Sequence, residues 1–279
     1  MNQKTIQKIA FSLLFLATLL VVLLVIFIIA ILVIRGLPAI SWEFLTAMPS
    51  MGMRKGGIFP AIIGTIYLVA ATLACAIPVG VFSAIYLVEY AKDNMLTRLV
   101  KLAIINLAGV PSIVYGLFGL GMFVIFLQFG PSIIAGALTL AIMILPIIIT
   151  TSKEALDAVP RSYREVSLAL GASRWQTILH VVLPNALPGI LTGIILGVSR
   201  AAGETAPILF TVAAFYLPRL PRSIFDQVMV LPYHLYVIST QIPNIKPEYT
   251  YGSALVLVVM VLMANLVAVI LRSRYRKKK

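Results

Sequence analysis

From Leu102 to Ser152 the chain runs fifty-one residues without a formal charge, between Lys101 and Lys153. Soluble domains carry charge at about a quarter of their positions, so a run of this length excludes an ordinary water-soluble fold. A helix needs about 20 apolar residues to cross the hydrocarbon core of a bilayer. The run therefore holds two crossings, with the turn expected at Gln128-Phe129-Gly130-Pro131, where Gly-Pro interrupts a helix. Four further charge-poor blocks, at 9–34, 58–88, 186–215 and 249–271, raise the expected number of spans to six. These runs are too continuous for the alternating segments of a membrane barrel. The expected fold is an all-α polytopic membrane protein, one domain over 1–279. Its composition, 61% hydrophobic and 11% charged, agrees.

The first block follows Lys4 and Lys8, as a secretory signal would. Its apolar run exceeds the roughly 7–15 residues of a signal core, and no small-x-small cleavage pattern is evident, so it is expected to be a retained helix. Orientation follows from the bias of basic residues. Six alternating spans put fifteen Lys and Arg on the side of the termini and six on the other, with Arg200 inside a span. Both termini, and the loop of about 153–185, are therefore expected in the cytoplasm. Six of the charges behind the net +13 are Arg272, Arg274, Arg276, Lys277, Lys278 and Lys279, directly after the last apolar run. Such a cluster meets anionic lipid headgroups and gives no reason to invoke nucleic acid. The single cysteine, Cys75, leaves no intramolecular disulfide to form.

Within the 153–185 loop, Thr151 with Glu154, Ser162 with Glu165, and Ser173 with Gln176 each fit a capping box. Gly171 stands where a helix ends in a left-handed residue. The spacing predicts two short helices, roughly 163–170 and 174–182, meeting at Gly171-Ala172. Val166, Leu170, Trp175, Ile178 and Leu179 give this hairpin an apolar stripe that it cannot bury alone. The stripe must lie on membrane helices, on a partner, or on both. Glu89 ends the second span and is expected to be a solvated boundary residue.

The fifth span carries Gly189, Gly193, Gly197, Arg200, Glu204 and Pro207. At 100° per residue all six share one face, and small-xxx-small faces let membrane helices approach closely. Arg200 falls near the middle of its apolar block, where a charge costs about 2.5–3.5 kcal/mol or more in lipid and faces the protein interior or an aqueous path. Arg200 and Glu204, four apart, suit a self-neutralising pair. Equally, an Arg fork suits a tetrahedral oxyanion. The residues alone leave both readings open.

The run Glu165-Val166-Ser167-Leu168-Ala169-Leu170-Gly171, then nine residues, then Val181-Val182-Leu183-Pro184, resembles the cytoplasmic loop of ABC importer permeases. Val166-Ser167 replaces the usual two alanines. The segments Arg200-Ala201-Ala202-Gly203-Glu204-Thr205-Ala206-Pro207, Gly56 to Thr65 and Gly109 to Leu117 resemble the A-type permease subunit of the bacterial phosphate ABC importer over nearly the whole chain. The resemblance implies a type I permease fold with a coupling hairpin between spans four and five, in the bacterial inner membrane. It implies a related second permease subunit, two cytoplasmic ATPase subunits that bind ATP and Mg, an extracytoplasmic phosphate-binding protein, and inorganic phosphate as cargo. It assigns Glu165, Ser167, Ala169, Gly171, Leu183 and Pro184 to ATPase coupling, and Arg200 and Glu204 to the substrate path. A helix cap at Glu165 is compatible with that coupling role. The binding protein would meet the loops 35–57 and 216–248, the second of which is expected to hold a short interfacial helix.

This chain contains no Gly-x-x-x-x-Gly-Lys-Ser/Thr phosphate loop and no nucleophile–base pattern. No cofactor, catalytic group or metal site is expected in it; His180 and His234 fall on opposite sides of the membrane. The rivals are a permease for sulfate, molybdate or phosphonate, and an ion-coupled secondary transporter. The latter would leave the coupling-type loop without a purpose, and no internal repeat supports it.

Overall fold

The computed structural model describes residues 3–277, so Lys278 and Lys279 of the basic tail lie outside the described residues. Helix α1 (Gln3–Gly36) is apolar all round, and none of its most apolar window is buried. Phe15, Leu20 and Phe27 remain more than half exposed. A helix with no polar face needs an apolar solvent, which a bilayer supplies. Next come α2 (Trp42–Thr46), capped by the Ser41 hydroxyl, and a hairpin of two-residue strands, β1 (Pro49–Ser50) and β2 (Lys55–Gly56), the only paired strands among the described residues. Helix α3 (Phe59–Ile85) continues through a π-helical turn at Tyr86–Tyr90.

Helices α4 (Met95–Ala108) and α5 (Ser112–Gly119) follow, the latter extended by a π-helical turn at Leu120–Phe126. Then come α6 (Ile133–Asp157), α7 (Arg161–Ala169) and α8 (Arg174–Thr177). A π-helical turn at Ile178–Val182 carries α8 directly into α9 (Leu183–Gly203). The chain closes with α10 (Ala206–Leu209), α11 (Leu231–Thr240) and α12 (Pro247–Lys277). Five helical stretches are long and apolar enough to span a membrane; a bent pair, α4 with α5 and its π turn, makes a sixth.

That pair corrects the expectation of a simple third span. Its arms meet at 105°, across Gly109-Val110-Pro111. Pro111 has no N–H to donate and forces Val110 away from helical geometry, so the break falls here as well as at Gly130-Pro131. The Tyr115 hydroxyl donates to the Leu107 carbonyl at 2.6 Å and ties the second arm back to the first.

Helix α6 is the centre of the fold, with 67% of its most apolar window buried between α3 and α9. Lipid is as apolar as leucine, so close backbone approach and dispersion hold such helices together. The α6–α9 contact uses the glycine face for this. Gly189 faces Ala155, Gly193 faces Thr151, and Gly197 faces Ile144 and Ile148. A side chain on Gly193 would collide with the Thr151 hydroxyl.

The other end of α6 is capped by the chain after α10. Ser132, Ile133 and Ile134 donate their N–H groups to the carbonyls of Thr211, Asp226 and Ile224, at 2.8, 3.0 and 3.0 Å. These are donors that a helix start otherwise leaves unsatisfied. Thr211, Val212 and Val228 to Val230 are buried although not helical. Irregular backbone at this depth in a membrane protein is stable only when protein surrounds it. The Asp226 carboxylate accepts from the N–H groups of Arg222 and Ser223, which hold its pKa below the usual carboxylate value and order this cap. The helix expected in the 216–248 loop is α11.

Candidate functional site

Helix α7 starts after Pro160, one residue before Ser162, so the Ser162–Glu165 capping box does not form. Nor does the Thr151–Glu154 box: α6 runs on to Asp157, and the Thr151 hydroxyl donates to Ile147 O at 2.7 Å inside that helix. Ser173 and Gln176 do form theirs. The Ser173 hydroxyl accepts from Gln176 N–H, and the Gln176 amide oxygen accepts from Ser173 N–H. One box of three is therefore real, because only Ser173 stands at an actual helix start.

Gly171 has φ +86°, a left-handed conformation that suits glycine. Its N–H bonds to Leu168 O at 3.0 Å, and Ala172 N–H reaches Ser167 O at 3.2 Å. This pair of bonds is the Schellman closure of a helix. The arm after Gly171 is not a separate short helix as expected; it is the first part of the continuous Arg174–Gly203 stretch. At 1.5 Å per residue that stretch is about 45 Å long, more than a bilayer core requires.

Helix α7 buries none of its own residues. Glu165 and Ala169 are exposed, while Ser167 is half-buried with its hydroxyl 2.9 Å from that of Thr177. Val166 and Leu170 are 60% and 83% exposed, and Trp175 and Leu179 are also exposed. Of the anticipated stripe only Ile178 turns inward. Leu183 packs on the cluster of Ile85, Leu156, Ile178 and Val182, while Pro184 sits exposed in the first turn of α9. The outcome is a rigid turn with an apolar face directed away from the spans.

Glu89 is not the solvated residue anticipated. It forms an ion pair with Arg164 at 2.7 Å, and the two side chains are only 13% and 18% exposed. The local sequence gave no signal for this contact, because the partners are 75 residues apart.

Arg200 also differs from expectation. It lies in the last turn of α9, not mid-span, because the helix ends at Gly203 and Glu204 is extended, with ψ 136°. The uniform 100° wheel thus fails at Glu204, and Pro207 belongs to α10. Gly203 followed by Pro207 is a helix-stop signal, and tertiary packing fixes it there: Gly116 of α5 lies against Ala206 and Pro207. Arg200 Nε still reaches Glu204 Oε1 at 3.3 Å. That is the one hydrogen bond of the Arg200 side chain among the described residues. A guanidinium has five N–H donors, so most remain available to an anion. A cation in a last turn is also favoured by the helix dipole. The preceding residue, Ser199, donates to Asn265 Oδ1 of α12 at 2.6 Å and fixes this end of α9 laterally. Among the described residues no cluster of three or more His, Cys, Asp or Glu is placed to hold a metal.

Residues 76–278 match the family described as binding-protein-dependent transport system inner membrane component. A probable ABC transporter permease protein, YqgI of Bacillus subtilis (strain 168), is 36% identical over 282 residues, covering 96% of this chain and 95% of that relative. The phosphate transport system permease protein PstA of Xylella fastidiosa (strain Temecula1 / ATCC 700964) is 32% identical, covering 84% and 81%. PstA 1 of Mycobacterium tuberculosis (strain CDC 1551 / Oshkosh) is 35% identical, covering 78% and 71%. A solved bacterial ABC transporter involved in alginate import matches with a TM-score of 0.68 at 15% identity, over 98% of this chain and 99% of that one.

Proposed function

This chain belongs to the binding-protein-dependent transport system inner membrane components, the permease subunits of ABC importers, and we propose that it forms half of a translocation path for inorganic phosphate. The observation that carries the substrate is Arg200, a cation at the α9 break that, among the described residues, makes one side-chain hydrogen bond, to Glu204 at 3.3 Å. Relatives named as phosphate transport permeases at 31–35% identity support it. Glu204 orients the fork, and incoming phosphate takes up the remaining donors.

A separate ATPase drives the cycle and binds the ATP and Mg. Glu165, Ser167, Ala169, Gly171, Leu183 and Pro184 belong to the 162–184 element that docks on it. The exposed face of Val166 and Leu170 supports this docking. Both termini and α7 are cytoplasmic, consistent with the basic-residue bias. A related second permease completes the path, two ATPase subunits sit below, and a phosphate-binding protein delivers cargo at the opposite loops. ATP-driven closure of the ATPase pair shifts α7, and the continuous α8–α9 helix carries that shift to Arg200.

A permease for another oxyanion is the second reading, since the Arg200 fork suits any tetrahedral oxyanion. Reconstitution with the partner permease, ATPase and binding protein separates the two. Labelled phosphate uptake that requires ATP is expected; preferential sulfate uptake would overturn the substrate, and ATP-independent uptake would overturn the drive.

A further inference from the structure

Helix α7 is tied to the spans mainly through one guanidinium. Arg164 Nη2 donates to Glu89 Oε1 at 2.7 Å and Nε donates to the same oxygen at 3.0 Å. Its Nη1 donates to Val159 O at 2.8 Å, and Nη2 also reaches Leu156 O at 2.9 Å. Those two carbonyls lie at and just beyond the C-terminal end of α6, where the dipole favours a cation. Arg164 thus joins three elements: α7, the end of α6, and the π-helical turn that ends α3. Leu156 and Val159 are themselves in the buried core, so the carbonyls are fixed points. Since Tyr163, Val166, Leu168 and Ala169 of α7 are all exposed, apolar packing cannot replace this link.

The chain connects α7 to α6 through Val159-Pro160 and to α9 through Gly171, but nothing covalent near it leads to α3. We propose that Arg164 is a positioning residue for transport, a clamp that makes α7, the α6 end and the α3 end move as one body. On that basis ATPase closure turns the central α3–α6 pair together with α9, whereas without the clamp it would reach α6 and α9 through the chain and leave the α3 end without a direct link to α7. The inference rests on the proposed docking of α7 to an ATPase.

The test uses the reconstituted importer with Cys75 replaced by alanine and spin labels at Tyr90→Cys, Ser162→Cys and Ser239→Cys, taken in pairs. Trapping with ATP and vanadate is expected to leave the 90–162 distance unchanged while the 162–239 distance shifts. Arg164→Lys keeps the charge but loses the fork that serves a carboxylate and two carbonyls together. It is expected to broaden the 90–162 distribution and to lower uptake per ATP hydrolysed about ten-fold. The double variant Glu89→Gln with Arg164→Gln, which leaves no buried charge uncompensated, is expected to do the same. A 90–162 distance that changes on trapping in the unaltered clamp, or normal uptake per ATP in both variants, overturns the proposal. If trapping moves neither distance, the docking reading itself fails and the clamp falls with it.

Discussion

Two Arg–Glu pairs stand at opposite ends of the α6–α9 contact, and they are built differently. Arg164–Glu89 joins residues 75 apart, is largely buried, and uses the guanidinium on a carboxylate and two carbonyls. Arg200–Glu204 joins residues four apart by one 3.3 Å contact, with the arginine 36% exposed. The first has little capacity left for another partner. The second keeps most of its donors unused. Saturation suits a joint that must not slip, and open valence suits a site that must bind and release.

Breaking the joint has the largest expected effect. Arg164→Leu leaves the Glu89 carboxylate buried without its partner, a loss of about 3–5 kcal/mol. Glu204→Gln removes one 3.3 Å contact from an arginine that is 36% exposed, and is expected to cost less. Thermal unfolding of the two purified variants checks this contrast; equal destabilisation would erase it.

Acid sharpens the contrast from the loop side. His234 on α11 is buried, neither ring nitrogen has a hydrogen-bond partner among the described residues, and burial pushes its pKa down to about 4 from 6.5. Below pH 6.5 the unfolded chain takes up a proton that the folded imidazole refuses. Stability therefore falls between pH 6.5 and about 4, by about 3 kcal/mol in total. Hydrogen exchange across Leu231–Thr240 should accelerate over that window, and His234→Phe should remove the dependence.

At the open pair, Arg200→Gln is expected to lower phosphate uptake about 100-fold, the scale of losing charge-assisted hydrogen bonds to an anion. The complex should still copurify with its ATPase. Loss of assembly instead would make Arg200–Glu204 a structural pair like the first. A mild effect belongs to the α7 turn. Gly171→Val forces a β-branched residue to φ +86°, at about 1–2 kcal/mol, with room for the side chain itself. It should reduce uptake per ATP hydrolysed before it reduces expression, which a paired uptake and ATPase assay would register.

Hydropathy made the six crossings legible, because backbone groups in lipid must be satisfied within each segment and so write long apolar runs into the chain. The left-handed Gly171 and the Ser173 cap were equally readable, being local bargains between a backbone conformation and the residue that tolerates it. Arg200 and Glu204 were recognisable as neighbours for the same reason. Their setting was not, since a helical wheel presumes a helix that α5 and α10 interrupt at Gly203.

What only the tertiary structure decided is the set of contacts between distant residues. Glu89 finds Arg164 because the end of α3 and the end of α6 arrive side by side. The glycine face of α9 finds Thr151 and Ala155 rather than a partner subunit. The start of α6 finds its acceptors at Thr211, Ile224 and Asp226, far along the chain. Sequence periodicity encodes what each helix requires of its surroundings, whereas the partner that meets each requirement depends on packing in three dimensions, which no local pattern records.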